Sequence, residues 1–146
     1  MNTFTLQIDG GRAHPVLLLS PIGVGVPLDF VATTGGSGGQ EALPGPARAF
    51  GFEVRLGASA LDEMWAWWIE VRDNGERDLR PVQLRAQVAE LSSTVLVGLE
   101  DVVLSELRLD FCPPVQPHMP NGPRALGQLN LVACLQPSRV DLSRGD

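Results

Sequence analysis

The chain has 146 residues and a formal net charge of −6, and its eleven basic residues are all arginine. Its length predicts one domain, spanning residues 1–146, and its acidity argues against a general binder of nucleic acids or anionic membranes. The absence of lysine excludes a Walker A phosphate loop and Schiff-base chemistry.

Targeting signals and cysteine spacing indicate where such a chain would function. The first residues lack the basic and apolar segments of a signal peptide, and no apolar run is long enough for membrane insertion. Cys112 and Cys134 have neither a CxxC spacing nor a zinc-site spacing. We therefore expect a protein that is made in the cytoplasm with reduced thiols.

Several segments alternate between apolar and polar residues, which predicts strands with one buried face. The opposite positions carry Gln, Arg, Glu, Asn, Thr and Asp, so one face of the sheet should be wet. Many short strands and one helix predict a mainly β fold, a small antiparallel barrel or sandwich with a flanking helix. The apolar positions are, in chain order, Phe4, Leu6 and Ile8; Phe50, Phe52, Val54 and Leu56; Val82, Leu84, Ala86 and Val88; Val103, Leu107, Leu109 and Phe111; and Leu129, Leu131 and Leu135.

Two segments without periodicity interrupt these strands. Residues 33–47 are rich in glycine and proline, which is typical of a flexible loop rather than of a phosphate-binding loop. Residues 112–123 contain five prolines and predict a long irregular connection.

The helix is predicted over residues 60 to about 73, with Ser59 as its N-cap and Gly75 as its left-handed stop. It contains all three tryptophans, and its apolar arc is wider than contact with one sheet requires. We expect one flank to pack on the barrel and the other to contact a neighbouring subunit; the alternative is a helix plugged deeply into its own barrel. The packing flank is Leu61, Trp65 and Trp68, and the interface flank is Met64, Trp67 and Val71.

The predicted strand that ends near Phe111 contains a row of charged residues. Glu106 and Asp110 flank Arg108 on one face. Such a row is either a surface ion-pair ladder of little energetic value or part of a subunit interface or a charged channel wall. We assign these three residues to a subunit interface.

Candidates for catalysis are few. His14 and His118 have no metal-site spacing, and lone loop histidines are usually solvated. Cys112 and His118 could form a thiol–imidazole pair, although the surrounding prolines disfavour that geometry. Cys134 resembles a small core residue. The sequence therefore predicts no enzyme, no cofactor and no metal site.

Three segments carry a resemblance to a known family: residues 61–75, 80–87 and 96–111. The Trp67-Trp68 pair in a helix that ends in Arg-Asp-Asn-Gly, followed by an alternating strand and a longer one, resembles the tail tube family of contractile phage tails and injection systems. That family shares its fold with the tube protein of type VI secretion. Residues 10–48 and the proline-rich loop depart from its pattern.

The resemblance implies a β-barrel with a flanking helix, assembled as hexameric rings that stack into a hollow tube. It implies as partners further copies of the chain and the sheath and baseplate proteins of the particle, with protein cargo or DNA in the lumen. The departures leave open a tube-initiating or terminal ring. The alternative function is a monomeric β-barrel module that binds a small ligand or peptide. A hydrolase that uses Cys112 and His118 is a third hypothesis.

Overall fold

A computed structural model describes residues 2–32, 40–75, 78–91, 93–112 and 128–145. The described residues form eleven strands and one α-helix, and a 3-10 turn at Ala58–Ala60 lies directly before the helix. The elements are β1 (Thr3–Ile8), β2 (Ala13–Leu19), β3 (Val24–Gly25), β4 (Leu28–Ala32), β5 (Gln40–Pro44), β6 (Arg48–Ala49), β7 (Phe52–Gly57), α1 (Leu61–Asn74), β8 (Arg80–Gln87), β9 (Thr94–Cys112), β10 (Gln128–Gln136) and β11 (Arg139–Gly145).

Six of the strands close into an antiparallel barrel. Their order is β10-β7-β2-β1-β8-β9, and β9 pairs again with β10. The predicted mainly β fold with one helix is confirmed, and of the two predicted architectures the barrel is the one that forms. Strand β11 continues along β9 in the same register as β10, with the backbone N–H of Ser138 donating to the carbonyl of Glu100 at the link.

Strand β9 takes part in both halves of the barrel and is irregular in its middle. Its first half pairs with β8, and its second half pairs with β10. Asp101 has a φ of +47° at a bulge opposite β8, and a second bulge lies opposite Cys134 and Leu135. After the second bulge the odd-numbered side chains of β9 face the core, whereas between the two bulges the even-numbered ones do. Val102 and Leu104 are therefore buried. The sequence prediction that Val103 lies on the core side was therefore wrong.

The barrel interior is filled by apolar side chains from every barrel strand and from the helix. The predicted positions on β1, β7 and β8 are buried as expected, except that Phe4 and Val88 are only half-buried. Phe50, which precedes β7, is half exposed and packs against the backbone at Gly23 and Gly25. The buried cluster consists of Leu6, Ile8, Phe52, Val54, Leu56, Ala60, Met64, Trp67, Val82, Leu84, Leu99, Val102, Leu104, Leu131, Ala133 and Leu135.

Helix α1 presents to the barrel the face that the sequence assigned to a partner. Met64 and Trp67 are completely buried in the core, and Val71 packs against it. Trp65, assigned to barrel packing, is 47% exposed. The assignment of Met64, Trp67 and Trp65 was therefore wrong, because helical spacing separates two apolar stripes without indicating which one meets the sheet.

The remaining helix residues follow from this orientation. Leu61 and Trp68 are half-buried and border the core cluster. The indole N–H of Trp67 donates to the carbonyl of Asp78 at 3.4 Å, and the guanidinium of Arg80 lies 5.6 Å from the ring centroid. The buried indole therefore has both a hydrogen-bond partner and a stacked cation.

The ends of the helix agree only in part with prediction. Gly75 has a φ of +68° and its N–H donates to the carbonyl of Val71, so it terminates the helix as expected. Ser59 lies inside the 3-10 turn, and the N-cap position is Ala60, without a side-chain cap. The predicted N-cap was wrong because the 3-10 turn shifts the start of the helix.

His14 is buried, in contrast to the solvated loop position expected from the sequence. It lies on β2, and its Nε2 is 2.5 Å from Oε2 of Glu63 at the start of α1. A Cβ on Gly11 would overlap the Glu63 carboxylate. The close approach of this glycine and the buried imidazole therefore fasten the helix to the β1–β2 hairpin.

Residues between β2 and β7 form an arm outside the barrel sheet. Strand β4 pairs with β5, and β3 pairs with β6. The prediction of an irregular loop over residues 33–47 was wrong for Gln40–Pro44, which pairs along its whole length; residues 33–39 lie outside the described part of the chain.

Replacement of Trp67 by alanine should lower the free energy of unfolding by about 3–5 kcal/mol, because it leaves a large cavity in the core. Trp65→Ala removes a half-exposed indole and should cost less than about 1 kcal/mol. Urea unfolding followed by far-UV circular dichroism measures both. Equal losses in the two variants would contradict the orientation of the helix.

Replacement of Glu63 by alanine should cost about 1–3 kcal/mol, because the buried His14 loses its hydrogen-bond partner. Asp62→Ala is the matched control, since it removes a carboxylate from the same first turn without touching a buried group. The same unfolding assay separates the two. If Asp62→Ala is as destabilising, the effect belongs to the helix terminus and not to His14.

Candidate functional site: a charged sheet face with two open edges

Four strand segments form a sheet whose outer side is covered by no other described strand. They are the second half of β2, then β7, β10 and the second half of β9. The registers place outward side chains in rows across the strands. The rows are Leu18, Arg55, Val132 and Arg108; Glu53, Cys134 and Glu106; and Gly57, Asn130 and Asp110. We call this surface the charged face.

The charges on this face pair across the central strand β10. Arg55 Nη1 lies 3.0 Å from Asp110 Oδ2, which joins β7 to β9. Arg108 makes the opposite crossing to Glu53 and also contacts Glu106 at 3.3 Å. All five side chains are partly exposed, so each pair contributes little to stability. Their combined effect is to fix the direction of both guanidinium groups.

The uncharged residues of β10 lie beneath these crossing side chains. Val132 is 5% exposed although it points away from the barrel core. The stems of Arg55 and Arg108 flank it in the same row, and arginine stems commonly cover apolar surface in this way. The charged face therefore has a neutral floor and a paired, charged upper layer.

Cys134 lies on the charged face and not in the core as the sequence suggested. Its Sγ is 3.6 Å from Glu106 Oε2 and 3.8 Å from Glu53 Oε1. Burial raises the pKa of the Cys134 thiol, and the hydrogen bond to Glu106 and the charges of the two carboxylates raise that pKa further. The thiol is therefore poorly ionised near neutral pH.

Of the residues assigned to a site from the sequence, Glu106, Arg108 and Asp110 share this face. The structure adds Glu53 and Arg55, which the sequence analysis placed on the polar side of a strand without linking them to β9. Alternation gives the outward parity of each strand. Only the register between β7, β10 and β9 brings the charges together.

The four-stranded sheet has an open edge at each end. Within the described residues, β8 pairs with β9 only as far as Val102, so the second half of β9 has a strand on one side only. On β2, pairing with β1 extends from Ala13 to Pro15, and pairing with β7 begins at Val16. No other described strand therefore pairs with the edge of β2 beyond Pro15 that faces away from β7.

Exposed apolar side chains border both open edges. Leu109 and Phe111 on β9 are 46% and 70% exposed, although they lie on the parity that faces the core. The strand extends past the barrel at this point, so the core does not reach them. Leu17 and Leu18 on β2 are also more than half exposed. Exposed apolar residues beside unpaired backbone are typical of an interaction surface.

The remaining candidates do not form a site in the described part of the chain. The Cys112 side chain and His118 lie outside it, so their predicted pairing stays a prediction, as does the loop at residues 113–123. The described histidine, cysteine and carboxylate side chains form no group of three that could hold a metal ion. The described helix is too short and too polar to cross a bilayer.

In a Cys112→Ser background, the Glu53→Gln and Glu106→Gln pair should make Cys134 react several-fold faster with iodoacetamide at pH 8. Removal of the carboxylates lowers the thiol pKa, and the thiolate is the reactive form. Asp62→Asn with Glu70→Gln is the matched control for net charge. Equal rates in all three proteins between pH 7 and pH 9 would show that the carboxylates do not act on this thiol.

Solved structures of several proteins are similar to this fold, and three of them are described here by the particle or protein that they come from. The PVC sheath/tube terminator of an extracellular contractile injection system matches with a TM-score of 0.61 at 13% identity, over 96% of this chain and 92% of that chain. A chain of the six-fold symmetrised baseplate of the anti-feeding prophage gives 0.64 at 8% identity, over 97% and 91%. An Hcp protein gives 0.53 at 12% identity, over 99% and 98%.

By sequence, in contrast, no family model and no curated protein matches the chain. The structural likeness extends over nearly the whole chain and includes both the barrel and the arm. The fold implied by the resemblance to tail tube proteins is thereby confirmed: this chain has the fold of the tube and tube-terminator proteins of contractile injection systems, which is also the fold of Hcp.

Proposed function

We propose that this protein is a structural ring subunit of the inner tube, or of a tube-initiating or terminal ring, in a contractile phage tail or injection particle. The observation that carries the proposal is the sheet with one open, apolar edge at β9 and another at β2. Two different edges on one subunit favour head-to-tail association, which closes into a ring when the rotation is suitable.

Strand direction makes this association geometrically simple. The sheet β2-β7-β10-β9 has four strands, and each is antiparallel to its neighbours. In an alternating sheet with an even number of strands, the two outer strands run in opposite directions. Strand β9 of one copy would therefore meet β2 of the next copy in antiparallel orientation, as the barrel strands do. The joined sheets continue without a break in hydrogen bonding.

The diameter of such a ring determines which face of the four-stranded sheet lines its lumen. Four strands from each of six copies, spaced about 4.8 Å apart, give a cylinder roughly 37 Å across before strand tilt widens it. A folded chain of this length has a radius of gyration of about 15 Å. Six subunit bodies do not fit inside that cylinder, so the barrels and helices lie outside and the charged face lines the lumen.

This arrangement also revises the role proposed for Glu106, Arg108 and Asp110. These residues lie on β9, the strand that forms the joint, and their side chains point to the lumen side. They would thus belong to the charged channel wall beside the interface, which is one of the alternatives that the sequence left open, rather than to the interface itself. The apolar rim at Leu109 and Phe111 lies on the other side of β9, where it would contact the body of the next copy.

A third free edge, the outer side of β11, is less suited to pairing. Its side chains are mostly exposed and polar or charged, with an ion pair between Arg139 and Asp141 at 3.3 Å. Charged side chains on an edge strand oppose pairing with another chain. We therefore assign the ring joint to β9 and β2.

The similar structures support partners of the same kind for this chain. They come from a sheath/tube terminator and from a baseplate. We infer that the assembled rings contact a sheath and a baseplate, that assembly takes place in the cytoplasm, and that the role is structural and not enzymatic. The exposed side of α1, with Trp65, would then lie on the outside of the tube.

The alternative of a ligand-binding barrel has weaker support. Such a module needs an apolar cavity, whereas the described interior is filled by buried side chains from both the strands and the helix. The concavity at the β1–β2 turn combines polar residues, among them Gln7, Asp9, Gln83 and Asp141, with the apolar Pro81, Val82 and Leu99. Its lining includes exposed side chains such as Asp9 and Asp141, so it is a depression in the surface and not an enclosed apolar pocket.

The double substitution Leu109→Glu and Phe111→Glu should abolish ring formation and leave the subunit folded, because both side chains are exposed in the isolated chain. Negative-stain electron microscopy and sedimentation velocity of the concentrated protein measure assembly, and circular dichroism measures folding. We expect rings or tubes for the unchanged protein and at least a tenfold smaller assembled fraction for the variant.

Leu142→Glu is the matched control, since Leu142 is 73% exposed on β11, the edge to which we do not assign the ring joint. It should assemble like the unchanged protein. Rings formed by the double variant, or an unchanged protein that stays monomeric at high concentration and with its sheath and baseplate partners, would contradict the proposal.

A further inference from the structure

A cleft beside the start of β11 is lined by residues of neither the charged face nor the two open edges. Residues of β3 and β6 form one side of it, and the first residues of β11 form the other. We call it the arginine cleft, because two arginines share its lining with small apolar residues. Its lining includes Val24, Ala47, Arg48, Ala49, Arg139 and Val140.

The arginine cleft has positive charge without a carboxylate of its own. No aspartate or glutamate is among the described residues that line it. Arg48 is exposed and makes no ion pair or side-chain hydrogen bond with any described residue. Arg139 binds Asp141 through its Nε at 3.3 Å, which leaves its two terminal nitrogens without a described partner. On a chain of net charge −6, such a cleft is a local attraction for an anion.

The backbone of β6 adds a hydrogen-bond donor to the same place. The N–H of Phe50 donates to the carbonyl of Gly23 at 2.9 Å, so the paired residues Val24 and Ala49 direct their own backbone groups away from each other. The carbonyl of Ala49 accordingly accepts from Nε2 of Gln136 at 3.1 Å. The N–H of Ala49 points to that side too, and no described group accepts from it.

This N–H is an incentive for a ligand. Ala49 is 8% exposed, and buried backbone N–H groups are nearly always hydrogen-bonded in folded proteins. The hydroxyl of Ser138, which also lines the cleft, already donates to the carbonyl of Glu100 at 3.0 Å. An oxygen atom supplied from outside would give the N–H of Ala49 the acceptor that it lacks within the described residues.

The donors and the apolar lining together indicate the chemistry of that ligand. Guanidinium groups bind carboxylates with two parallel hydrogen bonds, and a backbone N–H strengthens when its acceptor is charged. Small apolar residues beside these donors suit a short apolar side chain. The last residue of a protein chain combines both features, because its carboxylate and its side chain are attached to the same carbon atom. An internal aspartate or glutamate has no such side chain beside its carboxylate.

We propose that the arginine cleft binds the C-terminal carboxylate of a partner protein whose last residue has a short apolar side chain, such as alanine or valine. Arg48 and the N–H of Ala49 bind the carboxylate oxygens from β6, and Arg139 adds its charge from β11. Capture of a chain end by backbone donors is a recurring mode of peptide recognition. The inference does not rest on the proposed function, because a single subunit contains the whole cleft.

The test uses a rhodamine-labelled peptide that ends in Ser-Gly-Ala-Val with a free carboxylate, and fluorescence anisotropy with the unchanged protein. The same peptide with a C-terminal amide should bind at least about tenfold more weakly, because the charged acceptor is lost. An amidated peptide with an internal glutamate has the same net charge and should be weakened equally. Isovalerate, a free carboxylate on an apolar stem, should compete at least about tenfold less well than the unlabelled peptide.

Substitutions in the cleft locate the binding. Arg48→Gln with Arg139→Gln should weaken the peptide at least about tenfold, and Arg48→Lys, which keeps the charge but not the fork of donors, several-fold. Arg12→Gln with Arg85→Gln is the matched control, since both arginines are exposed outside the cleft and have no described ion pair. It should bind like the unchanged protein. Circular dichroism checks that every variant is folded.

Four results would overturn the proposal. They are equal binding of the acid and amide peptides, equal binding of the internal-glutamate peptide, an equal loss in the control variant, and competition by isovalerate as strong as by the peptide. The last result would assign the cleft to small carboxylates instead of chain ends. The comparison of peptides needs only the unchanged protein, so it holds even if a variant fails to fold. Ring formation seen by microscopy is independent of all these outcomes.

Discussion

Strand β9 sets the constraint on which the rest of this structure depends. With 19 residues it is longer than closure of the barrel requires. Its first half is held between β8 and β11, and among the described strands its second half is paired with β10 alone. Backbone N–H and C=O groups that lack a partner strand must bond to water or to another chain. Closing the barrel with this strand therefore creates the open edge at which copies can join.

The distribution of the tryptophans changes the explanation of why the chain would assemble. Trp67 is sealed in the core of its own subunit, together with Met64. One subunit therefore hides most of the indole-rich surface without a partner, and in the proposed ring burial of tryptophan would not be what joins the copies. In the described part of the chain, the uncovered backbone that has leucine and phenylalanine beside it lies at the β9 and β2 edges.

The sequence predicts the elements of this fold better than their arrangement. Alternation identifies the buried positions of β1, β7 and β8, because these strands pair regularly over their predicted lengths. It fails on β9, where the bulge near Ser105 reverses the inward parity, and bulges have no reliable signature in a single sequence. The hydrogen bond between the buried His14 and Glu63 joins residues 49 positions apart, which no local pattern reveals.

The charged face marks a similar limit for the site. Glu106, Arg108 and Asp110 can be found on one strand by their spacing alone. That Arg55 pairs with Asp110, and Glu53 with Arg108, depends on which strand lies on either side of β10. This order follows from closure of the whole barrel, and so the partners of these charges emerge only with the tertiary structure.

Hydrogen–deuterium exchange on assembled and dissociated protein tests the central claim most directly, because it reports on the backbone of the joint. The account predicts that assembly slows amide exchange in residues 105–112 of β9 and in residues 17–19 of β2, and leaves β11 unchanged. Protection of β11 upon assembly, with rapid exchange persisting at both open edges, would contradict it.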